Sequence, residues 1–201
     1  NRFEMEKILF KKYPSCGLTL GSTEVILDIM KEQHIRAEDI ERVEVTVPPY
    51  AYKLVGHAFE IGDNPRVNAQ FSIQYCVASA LVRGVSKLDH FEASSVIDPR
   101  IMALSKKIQV ISDPKLDERG HTALDMRVHT SDGGEHFKQM DIAPGFPGNP
   151  LTRKEHEQHF WDCMEFSGGL LPKERAEEIV SQVSKLGELD DVRTLIALLR
   201  V

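Results

Sequence analysis

The amino-acid sequence predicts an α+β domain followed by a wholly helical segment, on three observations. The stretch "ERVEVTVP" alternates strictly, with Val43, Val45 and Val47 on one side and Glu44 and Thr46 on the other, as a half-buried strand requires. The stretches "GSTEVILDIMKEQH" and "NAQFSIQYCVASALVRG" carry apolar residues at helical spacing. After Pro144 alternation disappears and only helical patterns follow. The expected organisation is an opening helix in 1–14, an α+β domain over 15–142 and a helical segment over 143–201. The middle unit should hold about four strands and three helices.

In chain order, Phe3, Ile8 and Leu9 among Glu and Lys predict an amphipathic helix from Arg2 to Tyr13, stopped by Pro14. A second helix is expected over 21–34, with Val25, Ile26, Ile29 and Met30 as its apolar stripe. The strand of alternating valines ends at Pro48-Pro49, and residues 50–67 lack periodicity and predict a loop. Residues 68–84 are apolar on two faces, which predicts the central buried helix, closed by Gly84. Asp98-Pro99 is an N-cap and first-turn proline, and "IQVIS" predicts a strand. "ALDMRVHT" and "HFKQMDI", joined through Ser131-Asp132-Gly133-Gly134, predict a hairpin. "GFPGNP" reads as a linker. Thr152 with Glu155 makes a capping box for a helix over 152–166, and Pro172 and "DVRTLIALL" open two more. The tail's apolar positions, Ile179, Val183 and Leu186 with Val192, Leu195, Ile196 and Leu199, call for a partner surface.

Composition excludes several classes. A formal net charge of -6 argues against sequence-independent nucleic-acid binding, which needs clustered cations. No apolar run approaches a membrane span, and no secretory signal pattern opens the chain. Three scattered cysteines, Cys16, Cys76 and Cys163, point to reduced thiols and a cytoplasmic setting. The chain opens in "NRFEMEKILFKKY" without an initiating methionine, which raises the expectation that it is part of a longer protein. No metal site is expected. His156 and His159 stand three apart, not four, between polar residues that predict exposure, and the other histidines lack ligand spacing. Nucleotide-binding loops and nucleophile elbows are absent from the sequence, and the prolines of "GFPGNP" remove donors a phosphate cradle needs.

The stretch "LFKKYPSCGLT" remains. Its plain reading is structural: lysines complement a helix C-terminus and Pro14 ends the helix. Tyr52, in "PPYAYK", likewise reads as an amphipathic loop residue. The order of features carries more. A Lys-x-Tyr-Pro-x-Cys turn precedes a helix and the strand "IERVEVTVP". Then come "NPRVNAQFSIQYCVASALVRG", "DPRIMALSKKIQV", a Val-x-Thr-x-Asp-Gly hairpin and "GNPLT". Over nearly its whole length the chain resembles the C-terminal half of the MmgE/PrpD family. That family includes 2-methylcitrate dehydratases, cis-aconitate decarboxylases and iminodisuccinate epimerases.

The resemblance implies a loosely ferredoxin-like lid domain with an antiparallel sheet, inserted in an all-helical domain. Residues 1–14 and 143–201 would then belong to, or lead from, that helical domain. It implies a cofactor-independent lyase or isomerase, homodimeric, with a small di- or tricarboxylate substrate and an active site between the domains. The N-terminal helical half would supply most of the acid–base groups. The lid would contribute Lys11 and Tyr52 as catalytic residues, with Cys16, Thr19 and Gln70 lining the substrate. The run "TLGSTEV" departs from the family pattern, placing Leu20 where His is usual and Glu24 in the Asp region. The alternatives are the epimerase branch of the family and a non-catalytic α+β ligand-binding or interaction module.

Overall fold

A computed structural model of the chain describes residues 3–200. The fold comprises two compact units, Asn1–Leu151 and Thr152–Val201. The first unit thus takes in the segments flanking 15–142 on both sides.

The expected opening helix does not form, and its expected start at Arg2 lies outside the described residues. A 3-10 turn spans Glu4–Lys7, and residues 8–11 run without regular structure. Phe3, Met5, Ile8 and Phe10 are all exposed and Leu9 is only half-buried, so among the described residues too little apolar surface is covered to stabilise so short a helix. The Phe10 N–H is instead donated to the Gly145 carbonyl at 3.0 Å.

Helix α1 (Leu20–Gln33) buries Leu20, Val25, Ile26 and Ile29 and ends at His34 in the left-handed region. Strand β1 (Ile40–Val47) follows. Its register slips between Ile40 and Arg42, and this bulge lets Ile40 and Val43 both reach the core despite their odd spacing. Residues 50–67 hold more structure than a loop. Helix α2 (Pro49–Val55) and helix α3 (Pro65–Gln70) each start with proline in the first turn, and Asn64 accepts from the Val67 N–H. Ser72 breaks the expected 68–84 helix by capping a new one, α4 (Ile73–Arg83), through the Tyr75 N–H. Helix α4 is the buried centre of the unit, and Gly84 closes it at φ 70°. The short helix α5 (Ala93–Val96) and α6 (Pro99–Ser105, capped by Asp98) lead into β2 (Ile108–Ser112). The hairpin of β3 (Leu124–Thr130) and β4 (Glu135–Met140) forms as expected.

The sheet order is β2-β1-β3-β4. It is mixed, not antiparallel: β1 pairs with β2 in parallel across a long helical crossover, and with β3 antiparallel. One face, carrying Val43, Val45, Met126 and Val128, packs under the helices. Both α1 and α4 lie on the sheet and on each other, and α6 packs on α4. The opposite face is charged, with Arg127 over the Phe137 ring and ion-paired to Glu135. Along β4, Lys138 sits opposite the buried Met126, and its ammonium reaches Asp28 and Glu32 of α1 at 2.9 and 2.6 Å.

The second unit holds α7 (Arg153–Phe166), α8 (Lys173–Ser184) and α9 (Arg193–Leu198). Thr152 and Glu155 form the expected capping box. Ala176 and Ile179 are buried, while Val183, Leu186, Val192, Ile196 and Leu199 stay about half exposed. An open groove of about 520 Å³ between α7 and α8 is lined mainly by Phe160, Ile179, Val180 and Val183. His156 is exposed, but His159 is half-buried beside the Cys163 thiol, 3.9 Å away. No described helix is long and apolar enough to cross a membrane.

Candidate active site

The Lys-Tyr-Pro turn is a run of bends over residues 12–15, held at several points. Lys12 and Tyr13 share one carboxylate: the Lys12 ammonium reaches Glu24 Oε1 at 2.7 Å and the Tyr13 hydroxyl donates to Oε2 at 2.6 Å. Both ends of the Lys12–Glu24 pair are about four-fifths shielded from solvent, where a charge-assisted bond is worth more than at an open surface. Glu24, marked in the sequence only as a departure from a pattern, thus fixes the turn to α1. Lys11 is exposed, with no hydrogen-bond or ion-pair partner among the described residues. Two adjacent lysines therefore differ completely in availability.

Gln70, at the end of α3, clamps the far side of the turn. Its side-chain amide donates to the Pro14 carbonyl at 2.8 Å, and its own carbonyl accepts the Cys16 N–H at 2.9 Å. Each such bond contributes about 0.5–1.5 kcal/mol net. A 3-10 turn, Gly17–Thr19, then runs directly into α1. Thr19 is fully buried, and its hydroxyl is engaged with Ser15 Oγ and the Cys16 carbonyl. Its carbonyl in turn accepts from Ser22 and Thr23. Thr19 shapes the turn from within. Cys16 is half-buried on its surface.

Tyr52 lies on α2, which packs against Gly17–Thr19. Its ring is half-buried, edge-on to the His57 imidazole at 5.3 Å between centroids. The Tyr52 hydroxyl has no hydrogen-bond partner among the described residues. A pocket of about 270 Å³ opens beside His57, between Leu54, Phe59, Asn68 and Phe71, and Tyr52 is not part of its lining. His57 gave no signal in the sequence because a lone histidine in an aperiodic stretch has no spacing to read. The structure thus joins Cys16, Thr19 and Gln70 by hydrogen bonds, brings α2 against them, and leaves Lys11 at the leading end of the turn. Among the described residues no cluster of three metal-ligating side chains forms.

Comparison with known proteins decides what this arrangement belongs to. The model of the MmgE/PrpD C-terminal domain matches residues 13–186. The chain belongs to the MmgE/PrpD family. A curated member similar to it is the cis-aconitate decarboxylase of Mus musculus, 24% identical over 165 residues. That match covers 82% of this chain and 32% of the decarboxylase, so the chain spans about a third of the length of the curated relative it matches. For an MmgE/PrpD C-terminal domain, the α+β unit is the larger part and the match continues into the helical unit.

The thiols give this site a direct check. Burial pushes the Cys76 thiol up to about 12, well above neutrality, so it stays protonated inside α4. Cys16 is partly open. Iodoacetamide should therefore alkylate Cys16 of the native chain well before Cys76, read by peptide mass spectrometry. Equal or reversed rates would contradict the difference in burial between the turn and α4.

Proposed function

We propose that this chain supplies the lid side of a cofactor-independent lyase active site acting on a small di- or tricarboxylate. Lys11 would bind and charge-stabilise a substrate carboxylate, and Tyr52 would donate a hydrogen bond or proton. Loss of water or CO2 beside a carboxylate passes through a species rich in negative charge, which fixed cations and hydroxyl donors stabilise in a dry cleft. The proton itself needs a nearby acid or base. In this reading those groups come from an N-terminal helical half of the same protein, on which the exposed apolar faces of α8 and α9 also pack. Cys16 lines the substrate side; Thr19 and Gln70 keep the turn in shape. Epimerisation beside a carboxylate uses the same groups and is the second reaction to test.

The observation that carries this reading is the contrast between the two lysines. One is ion-paired to Glu24, whose carboxylate Tyr13 also holds, while its neighbour is presented unpaired on a clamped turn. A lysine kept only for structure would not need such a support. The test is acylation of the full-length protein with an amine-reactive ester, with and without cis-aconitate or another tricarboxylate. Lys11 should label fast and become protected by the carboxylate, while Lys12 labels slowly in both. The reading fails if saturating carboxylates leave Lys11 labelling unchanged and none is turned over.

A further inference from the structure

We propose that the segment Ala143–Asn149, which overlaps the stretch "GFPGNP" that reads in the sequence as a linker, is a positioning strap for Lys11. This rests on the reading of Lys11 as the substrate-facing cation. The strap is internally closed. Phe146 N–H donates to the Ala143 carbonyl at 3.2 Å, Asn149 N–H to the Phe146 carbonyl at 2.9 Å, and Gly145 N–H to the Asn149 carbonyl at 2.8 Å. The Asn149 side chain adds a bond to the Ile142 carbonyl at 2.8 Å. The base of the strap is tied to the sheet side of the unit, since Ala143 N–H donates to Thr122 Oγ1 at 3.1 Å.

This closed turn grips the lysine segment on both sides. Ahead of Lys11, the Gly145 carbonyl takes the Phe10 N–H at 3.0 Å. The approach is so close that a Cβ on Gly145 would lie 1.8 Å from the Phe10 carbonyl oxygen, and Gly145 itself sits at φ 84°. Only glycine fits there, on both counts. Behind Lys11, the Phe146 ring lies against Gly17, 3.2 Å from where a Cβ would be, and packs with the buried Tyr13, Leu20 and Ala143. Lys11 thus projects from chain pinned one residue before it and again beyond the turn. A lysine stem has wide rotamer freedom, so the position of its root decides how much of that freedom is productive. A misplacement of about 1 Å at a reacting centre can cost about 100-fold in rate.

The experiment is a double-mutant cycle in the full-length enzyme, with kcat and KM measured separately. Gly145→Ala must push Phe10 aside, and it should lower kcat/KM about tenfold or more, in the same parameter that Lys11→Met lowers. In a Lys11→Met background the same change should cost less than about twofold, because no positioned cation is left to misplace. Phe146→Ala releases the second grip and should show the same dependence on Lys11, with Phe146→Tyr restoring activity; this arm serves if Gly145→Ala does not fold. Losses that persist undiminished in the Lys11→Met background overturn the strap as a positioning element. So does full activity of both strap variants beside a crippled Lys11→Met. A fully active Lys11→Met protein overturns the reading of Lys11 itself, and the proposal with it.

Discussion

Lys11→Met should lower kcat/KM of the full-length protein by about tenfold to a hundredfold on the carboxylate substrate proposed above. A charge-assisted hydrogen bond is worth roughly 1.5–3 kcal/mol, and each ~1.4 kcal/mol is a decade in rate. Methionine keeps most of the stem volume, so the change removes the charge and little else. Lys11 is exposed and unpartnered among the described residues, so folding stability should stay within about 0.5 kcal/mol of wild type. The matching control has the opposite signature. Lys12→Met strips the ammonium from a shielded Glu24 carboxylate, which then keeps only the Tyr13 hydroxyl of the two bonds described above. It should cost about 1–3 kcal/mol of stability, as an incompletely satisfied buried group does, with a smaller loss in turnover of the protein that remains folded. Steady-state kinetics and urea titration on both variants decide the matter. If Lys12→Met is the one that abolishes turnover at full stability, the roles are reversed.

The largest effect on the fold itself should come from Tyr75→Ala, at about 3–5 kcal/mol. Tyr75 has no exposed surface; its ring sits between Phe59 and Phe91, with centroids 5.1 and 5.6 Å away. Its hydroxyl donates to the His90 carbonyl, tying α4 to the loop that follows. Burial raises the phenol above its ordinary value, which favours the protonated, donating form. Tyr75→Phe isolates that bond and should cost only about 0.5–1.5 kcal/mol, since Arg83 also reaches the His90 carbonyl. A domain is stable by roughly 5–15 kcal/mol, so the alanine variant should sit near the limit of folding and its phenylalanine counterpart well within it. Urea unfolding followed by far-UV circular dichroism measures both. A Tyr75→Ala cost below about 1 kcal/mol would mean that α4 is not the centre of the core.

What the sequence disclosed was what is decided locally. Alternating valines, the Asp132-Gly133 region of the hairpin, the Asp98-Pro99 start and the Thr152–Glu155 box all act within a few residues, and each formed where expected. The opening helix failed for the complementary reason. Its local pattern was adequate, but no surface buries Phe3 or Phe10 among the described residues. The parallel pairing of β1 with β2 was invisible because it joins strands separated by five helices, and nothing in either strand names its partner. Helices α2 and α3 are too short for periodicity, and their proline starts were the signal available.

At the site, the family resemblance, and not residue type, pointed to Lys11, Gln70 and Tyr52, and it did not say what they touch. Whether Lys11 or Lys12 is free depends on Glu24, twelve residues from Lys12 and on another element. Glycines in "GFPGNP" suggest slack when read locally. One of them, Gly145, is required by the approach of Phe10, a contact spanning most of the unit. Long-range contacts of this kind turn a loop composition into a fixed part.

The edge strand β4 has a consequence for how the protein behaves in crowded solution. An uncovered strand edge is a template onto which foreign backbone can zip, and such growth is how many β proteins are lost to aggregation. Here the inner side of that edge carries Lys138, drawn under the sheet by Asp28 and Glu32. A further strand laid along β4 would extend the inner face over an ammonium group and two carboxylates and strip water from all three. The ion cluster therefore works as a gatekeeper, discouraging runaway polymerisation at the margin of the sheet while leaving the interior untouched.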